Sequence, residues 1–433
     1  MANTSGTTRR DFLRAGALGT TGLLLPDLLR ARAANADISA AKDTSIIWLF
    51  LNGGPSQYET FDPKPGNPAP HRSVVGTVKT NVPGTHLGGL FHNLSKHAHQ
   101  FSLIRSFTHS AADHAAATHW LMTGHDYPAA ANPGTPQNQP GFGAMVSRYR
   151  GPMHPKTSIP NNVKLDYVYG EGPDWLGATH SPFDIRGNIM SNLTPRISTD
   201  RLADRRSLLK SFDKVSRDID SSGMMSALDD FEVRAVDLIR SRSREAFDVT
   251  REDPRLRDRY GPGLGEKLLQ ARRLAEAGVG LITVRYGSWD SHGANPSVNH
   301  GTIEEEMHKY VPELDRALSV FLDDLYDRGL QEKVLVAVVG EFGRSPGMTK
   351  EDGRDHWPLL GNQLLAGGGM KMGKIIGSSS QRGDEPKSNP VSPNDLLATC
   401  FQFLGMPLDL QYMNPSGRPT LMLDNGKPIS ELF

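Results

Sequence analysis

The chain has almost no cysteine. Of 433 residues only Cys400 carries a thiol, so no intrachain disulfide can form and no cysteine-rich zinc site exists. It has no excess charge of either sign. Lys and Arg number 48, and Asp and Glu also number 48, which excludes the bulk basic field that points to nucleic acid. It also lacks a long apolar run: spanning a bilayer takes about 20 predominantly apolar residues, and no integral membrane span is expected. What is present is a hydrophobic content of 37%, as in folded globular proteins, with 44 Gly and 30 Pro that imply many turns. The 15 His are numerous, and several stand beside acids. The length predicts one large α/β domain with insertions, or two domains.

The first residues read as an address. In "TRRDFLRAGALGTTGLLLP" a pair, Arg9 and Arg10, precedes Phe12, Leu13 and a short apolar stretch. The segment resembles a twin-arginine export signal, which is read by a receptor and is not an anchor. "ARAANAD" offers small-residue cleavage sites near Ala33 or Ala36. The expected division is a signal peptide over 1–36 and one domain over 37–433. The twin-arginine translocase is then a transient partner, and the location is periplasmic or otherwise exported.

Strands alternate with helices along the rest of the chain. "SIIWLFLNGG" (Ser45 to Gly54) is an apolar run ending in Gly-Gly, and "FSLIRS" (Phe101 to Ser106) is a second strand candidate. "DHAAATHWLMTG" reads as a helix with Asp113 as N-cap and Gly124 as its stop. Tyr127 to about Asp200 is rich in Pro, Gly and Asn and reads as a loop-rich surface insertion near the site. Residues 201–249 read as charged and helical. "GEKLLQARRLAEAG" is a helix closed by Gly278 that feeds the strand "VGLITVRYG". Ile303, Met307, Tyr310, Leu314, Leu318, Phe321 and Leu325 recur at helical spacing. "KVLVAVVG" and "NQLLAGGG" follow as strands, and "PNDLLATCFQFLG" as a late helix. The alternation predicts a mostly parallel sheet sandwiched by helices. Ligands of such sheets bind at the carboxyl ends of the strands.

Asn52, Asp290, His292 and Glu341 all fall just past such ends, and "GRDHWP" adds Asp355 and His356. Carboxylates and imidazoles together suit one divalent cation, whether zinc, manganese, magnesium or calcium. His114 is placed at a helix N-terminus, where the dipole favours an anion. There it can ligate a metal, act as a general base or attack phosphorus. His119, five residues on, is about 140° around the helix and cannot face the same point; His109, before the helix, is a further candidate. Arg344 in "GEFGRSP" has the fork to hold an oxyanion.

The order of these motifs resembles the alkaline phosphatase and sulfatase superfamily, and more closely an exported bacterial sulfatase-like family of unknown function with a twin-arginine signal. "FLNGG" resembles the first metal-binding strand end. "DHAAATHWLMTG" is similar to the nucleophile helix, and "SHGANP", "VVGEFG" and "RDHW" to metal-binding segments that match His292, Glu341 and His356. The resemblance spans about Ser45 to Gly405 and implies an alkaline phosphatase-like α/β/α fold.

Three positions depart from that pattern. Asn52 stands where the superfamily usually has Asp, Phe342 where a phosphatase has a metal-binding His, and His114 where the nucleophile is Ser, Thr or Cys. One metal held by Asp290, His292 and His356 is therefore the expected complement. The implied function is a metal-dependent hydrolase of phosphate or sulfate esters, acting on a small-molecule or glycan ester. The alternative is a non-catalytic sulfatase-like binding protein of the cell envelope, which the missing Ser or Cys favours. A structural or assembly role in the envelope is a third reading, with nothing in the surface composition behind it.

Overall fold

The computed structural model describes residues 43–127, 138–187, 238, 242–295, 297 and 301–433. Eight strands build one sheet: β1 (Ser45–Leu51), β2 (Phe101–Phe107), β3 (Asn162–Lys164), β4 (Phe183–Asp184), β5 (Leu281–Tyr286), β6 (Val334–Val339), β7 (Gly361–Gly367) and β8 (Ile375–Ile376). Their order is β8-β2-β7-β6-β1-β5-β3-β4. β1 pairs in parallel with β5 and β6, β3 with β5 and β4, and β8 with β2. Only β7 runs against both neighbours, β2 and β6. The mostly parallel sheet expected from the sequence is borne out.

The unbroken apolar run of β1 has a physical reason. Alternate side chains enter different cores: Ile47, Leu49 and Leu51 pack on one face, Ile46, Trp48 and Phe50 on the other. A strand covered on both faces needs no polar alternation. Each fully buried Ile, Leu or Phe contributes about 1.5–3 kcal/mol of transfer free energy. On the first face lie α3 (Pro254–Tyr260), α4 (Leu264–Glu276) and α5 (Ile303–Asp327). On the second lie α1 (His114–Thr123), α2 (Phe142–Arg150) and α6 (Pro393–Leu404), with the Cys400 thiol fully buried. No described helix is long and apolar enough to cross a membrane.

Helix ends follow their caps. The Asp113 carboxylate accepts from the Ala115 and Ala116 amides at 2.9 and 3.2 Å, and α1 stops at Gly124 in the left-handed region. Thr302 with Glu305 and Ser392 with Asp395 form capping boxes on α5 and α6, satisfying N–H groups that a helix start leaves open.

Part of the stretch from Tyr127 toward Asp200 is built into the fold: α2 buries Phe142, Met145 and Val146, and β3 and β4 extend the main sheet, while most of its other described residues lie in turns and short 3₁₀ pieces. These strands are too short, at three and two residues, to show a period. Residues 128–137 and 188–200 of that stretch, the segment 1–36 that reads as an export signal, and most of 201–249 lie outside the described residues. The described part of that last stretch includes short 3₁₀ turns at Arg242–Phe247 and Val249–Arg251.

Candidate metal centre

The topology gathers the candidate residues at one edge. β1, β2, β5 and β6 all end there, leading into Gly53-Gly54, His114, Asp290 and Glu341 respectively. Because β7 is antiparallel, it begins at the same edge. The residues just before it therefore return to the site: His356 and Trp357 pair with Arg344 and Gly343 in a short antiparallel ladder.

Asp290 Oδ1 is the centre. His114 Nε2 lies 3.2 Å from it, His292 Nε2 2.9 Å and His356 Nε2 3.1 Å. His114, Asp290 and His356 offer ligand atoms all within 4.8 Å of one another, a set able to hold a metal ion. His292 Nε2 stands 3.0 Å from His356 Nε2.

The other nitrogen of each ring is tied down. His114 Nδ1 is 2.8 Å from Glu341 Oε1, His292 Nδ1 3.0 Å from Asp355 Oδ1, and His356 Nδ1 2.7 Å from the Ala112 carbonyl. Those partners only accept, so each Nδ1 carries the hydrogen and each Nε2 lone pair turns inward. Two imidazole lone pairs 3.0 Å apart need something positive between them. The nearby formal charge fits a divalent ion: Asp290, Glu341 and Asp355 against Arg344 give −3 + 1 = −2. The donor set of imidazole nitrogens and a carboxylate oxygen suits such a cation.

Protons compete for the same lone pairs. Burial works against a charged His114, but hydrogen bonds with Asp290 and Glu341 outweigh it and push its pKa up to about 9. Burial would raise the Asp290 carboxyl, yet His114, His356 and Arg344 hold it far below the usual carboxylate range. A cation entering the centre therefore displaces a proton from His114.

Other expected site residues sit one layer out. Glu341 is buried behind His114, where it accepts from the Gly53 and Gly54 amides at 2.8 and 3.0 Å. Asp355, 69% exposed, backs His292. Asn52 meets the neighbouring loop through its backbone, its carbonyl accepting from the Trp289 amide at 2.7 Å. Arg344 is not poised for an oxyanion. It is fully buried, and its guanidinium donates to Asp290 Oδ1 (2.6 Å), to the Gly53, Gly54 and Arg354 carbonyls, and toward His292 Nε2 at 3.5 Å. With so many partners its fork is committed inside the protein.

His109 is a strut. Its Nε2 donates to the Glu341 carbonyl at 2.5 Å while Nδ1 accepts from the Ala111 amide, and burial lowers its pKa. His119 points away from the centre and packs on Tyr127, ring centroids 4.5 Å apart; burial lowers its pKa to about 4.

Phe342, in the sequence only a departure from the ligand pattern, has a role of its own. Its ring lies 5.2 Å from that of His114 and 4.5 Å from that of His356, forming one wall. The Gly53-Gly54 turn was visible only as a loop. Gly54 has φ +77°, and a Cβ on it would come within 2.5 Å of the Phe342 ring. No side chain fits there.

Fold and cluster together define an α/β protein with a candidate cation centre at the carboxyl edge of its sheet. The chain belongs to the family described as "Protein of unknown function (DUF1501)", whose profile matches residues 43–433. No curated protein matches it. Among solved structures it is similar to the lipoteichoic acid synthase LtaP from Listeria monocytogenes, at 11% identity over 91% of this chain and 81% of that one, with a TM-score of 0.41. It is also similar to the PsFucS1 sulfatase from Pseudoalteromonas sp., at 11% identity, 88% and 72% coverage and a TM-score of 0.38. The phosphonate monoester hydrolase SpPMH from Silicibacter pomeroyi gives 12%, 89% and 76%, and 0.38.

Proposed function

We propose that this protein is an exported hydrolase of phosphate or sulfate esters that works with one divalent cation held by His114, Asp290 and His356, with His292 beside them. The observation that supports this reading is the convergence of three Nε2 atoms on Asp290 Oδ1 while every matching Nδ1 is tied to an acceptor. A divalent cation in such a place supplies Lewis acidity, polarising an ester oxygen and acidifying water.

The chain's own residues do the rest. Glu341, Asp355 and the Ala112 carbonyl orient the rings, Phe342 walls one side, and Arg344 holds the Asp290 carboxylate. His114 is a ligand in this reading. With Nε2 given to the cation beside Asp290 and Nδ1 donating to Glu341, neither nitrogen is free to attack phosphorus. Phosphate esters then fit better than sulfate esters, because the modified Cys or Ser on which sulfatases rely has no counterpart at position 114.

The second reading, a non-catalytic envelope protein that keeps the fold and the cation, has two observations behind it. The Arg344 guanidinium is engaged internally, and the group at the nucleophile position is a ring with both nitrogens engaged.

One experiment separates the two: elemental analysis of purified protein together with a panel of phosphate and sulfate esters, run on wild type, His114→Ala and His114→Gln. Joint loss of metal and hydrolysis in the variants supports a ligand role in a hydrolase. Metal without turnover of any ester in wild type supports the binding protein. Hydrolysis lost with metal retained overturns the ligand assignment. Export is tested separately: Arg9→Lys with Arg10→Lys should leave precursor in the cytoplasm, and unchanged periplasmic mature protein sinks the signal assignment.

A further inference from the structure

We propose that Glu341 is a positioning residue: anchored on the Gly53-Gly54 turn, its carboxylate fixes the His114 ring so that Nε2, and not Nδ1, faces the cation. The inference rests on the cation centre proposed above and adds how this chain prepares it.

The Gly53-Gly54 turn is gripped from both sides. Its two amides donate to Glu341, at 2.8 and 3.0 Å, and its two carbonyls accept from Arg344. Each gripping group then reaches one member of the cluster: Glu341 meets His114 Nδ1 at 2.8 Å and Arg344 meets Asp290 Oδ1 at 2.6 Å. A dipeptide with φ of +110° and +77° thus aligns a carboxylate and a guanidinium that lie three residues apart on the loop after β6. Substituting the turn is blocked on both residues: a Cβ on Gly53 would come within 2.7 Å of the Asp290 amide nitrogen, and one on Gly54 would meet Phe342.

Glu341 has three donors and two oxygens. Oε1 accepts from the Gly53 amide and from His114 Nδ1; Oε2 accepts from the Gly54 amide. Both oxygens must therefore accept. A glutamine keeps the shape but places an NH₂ against at least one N–H, whichever way the amide is turned. If the NH₂ faces His114, it favours the wrong tautomer, with the hydrogen on Nε2 and the lone pair turned away from the centre. The carbonyl strut from His109 to Glu341 holds the same loop by its backbone, so the loop does not depend on the carboxylate alone.

The test is a double-mutant cycle read by Zn²⁺ titration calorimetry on the intact mature chain. Glu341→Gln should weaken Zn²⁺ binding about 10- to 100-fold, the usual scale for removing a partner behind a ligand. In the His114→Ala background the same change should cost less than about twofold, whereas in the His292→Ala background it should cost its full amount, because only residues that act together are non-additive. Glu341→Asp keeps two acceptor oxygens on a shorter stem; it should lose less affinity, and it carries the same cycle if the glutamine variant does not fold. Equal losses in all three backgrounds mean a general structural role and overturn the inference while leaving the cation centre standing. A wild type that takes up no Zn²⁺ overturns the centre itself, and the positioning role with it.

Discussion

Two dense groups of charged side chains sit on this fold and behave oppositely. Around Arg272 on α4, signs alternate. The fully buried guanidinium lies 2.9 Å from Glu252, 2.5 Å from Glu276 and 3.0 Å from Asp324, while Arg328 and Tyr260 bind Asp324 at 2.7 and 2.9 Å. Arg272, Arg273 and Arg328 balance Glu252, Glu276 and Asp324, so the formal charge is +3 − 3 = 0. Burial disfavours the Arg272 charge, yet the carboxylates outweigh it and raise its pKa. At the sheet edge the charge sums to −2, and lone pairs of one kind face each other. The first group is complete by itself and fastens α4 to α5. The second is left short of positive charge: a proton brings it only to −1, and a divalent cation neutralises it. Neutrality distinguishes a brace from a receptor, even when both are rich in charge.

Arg272→Ala probes the brace and should have the largest effect on stability. It removes the central cation of a buried network whose carboxylates keep only Arg273, Arg328 and Tyr260, leaving a formal charge of +2 − 3 = −1 there, at a cost of about 3–5 kcal/mol, and it should leave metal content untouched. Chemical denaturation with elemental analysis checks both. A matching loss of metal would mean that the two groups are coupled. Chelation comes next. Removing a cation present at 100 to 1,000 times its Kd should cost about 2.7–4.1 kcal/mol, seen as a lower Tm in wild type and no change in His356→Ala. A wild-type Tm that ignores chelator argues against the receptor.

The smallest effect sharpens the comparison by pH. In chelated protein the pKa of His114 rises from 6.5 to about 9. Its contribution is then fully present below about pH 6.5 and is lost as pH climbs through about 9. The ring is 38% exposed, so solvent screening leaves on the order of 1 kcal/mol. Stability of chelated wild type should fall across that window, and His114→Gln should remove the slope. The Arg272 group, whose charges pair, should show no slope there.

Much of the frame was legible in the sequence because it is set by local patterns. β1, β5 and β6 are apolar runs, α1 carries its own cap and stop, and α5 repeats every third or fourth residue. His114 and His119 were separated correctly by helical angle alone. The direction of β7 was not legible, since a short apolar run looks alike either way, and that direction is what returns His356 to the site. Nor was the layering. Glu341, Asp355 and Arg344 have the chemistry of ligands or clamps, but which group touches the centre and which stands behind it depends on where three loops meet. The edge strands β3 and β4 were hidden by their shortness among Pro and Gly.

The lone cysteine carries a practical consequence. Cys400 sits inside α6, fully enclosed by the second core, and burial pushes its thiol pKa up. A thiol with no solvent access and little thiolate reacts only when the helix lifts from the sheet. The native chain thus holds a single built-in clock. The rate at which a maleimide attaches counts openings of that layer, with no engineered probe and no second site to confuse the signal.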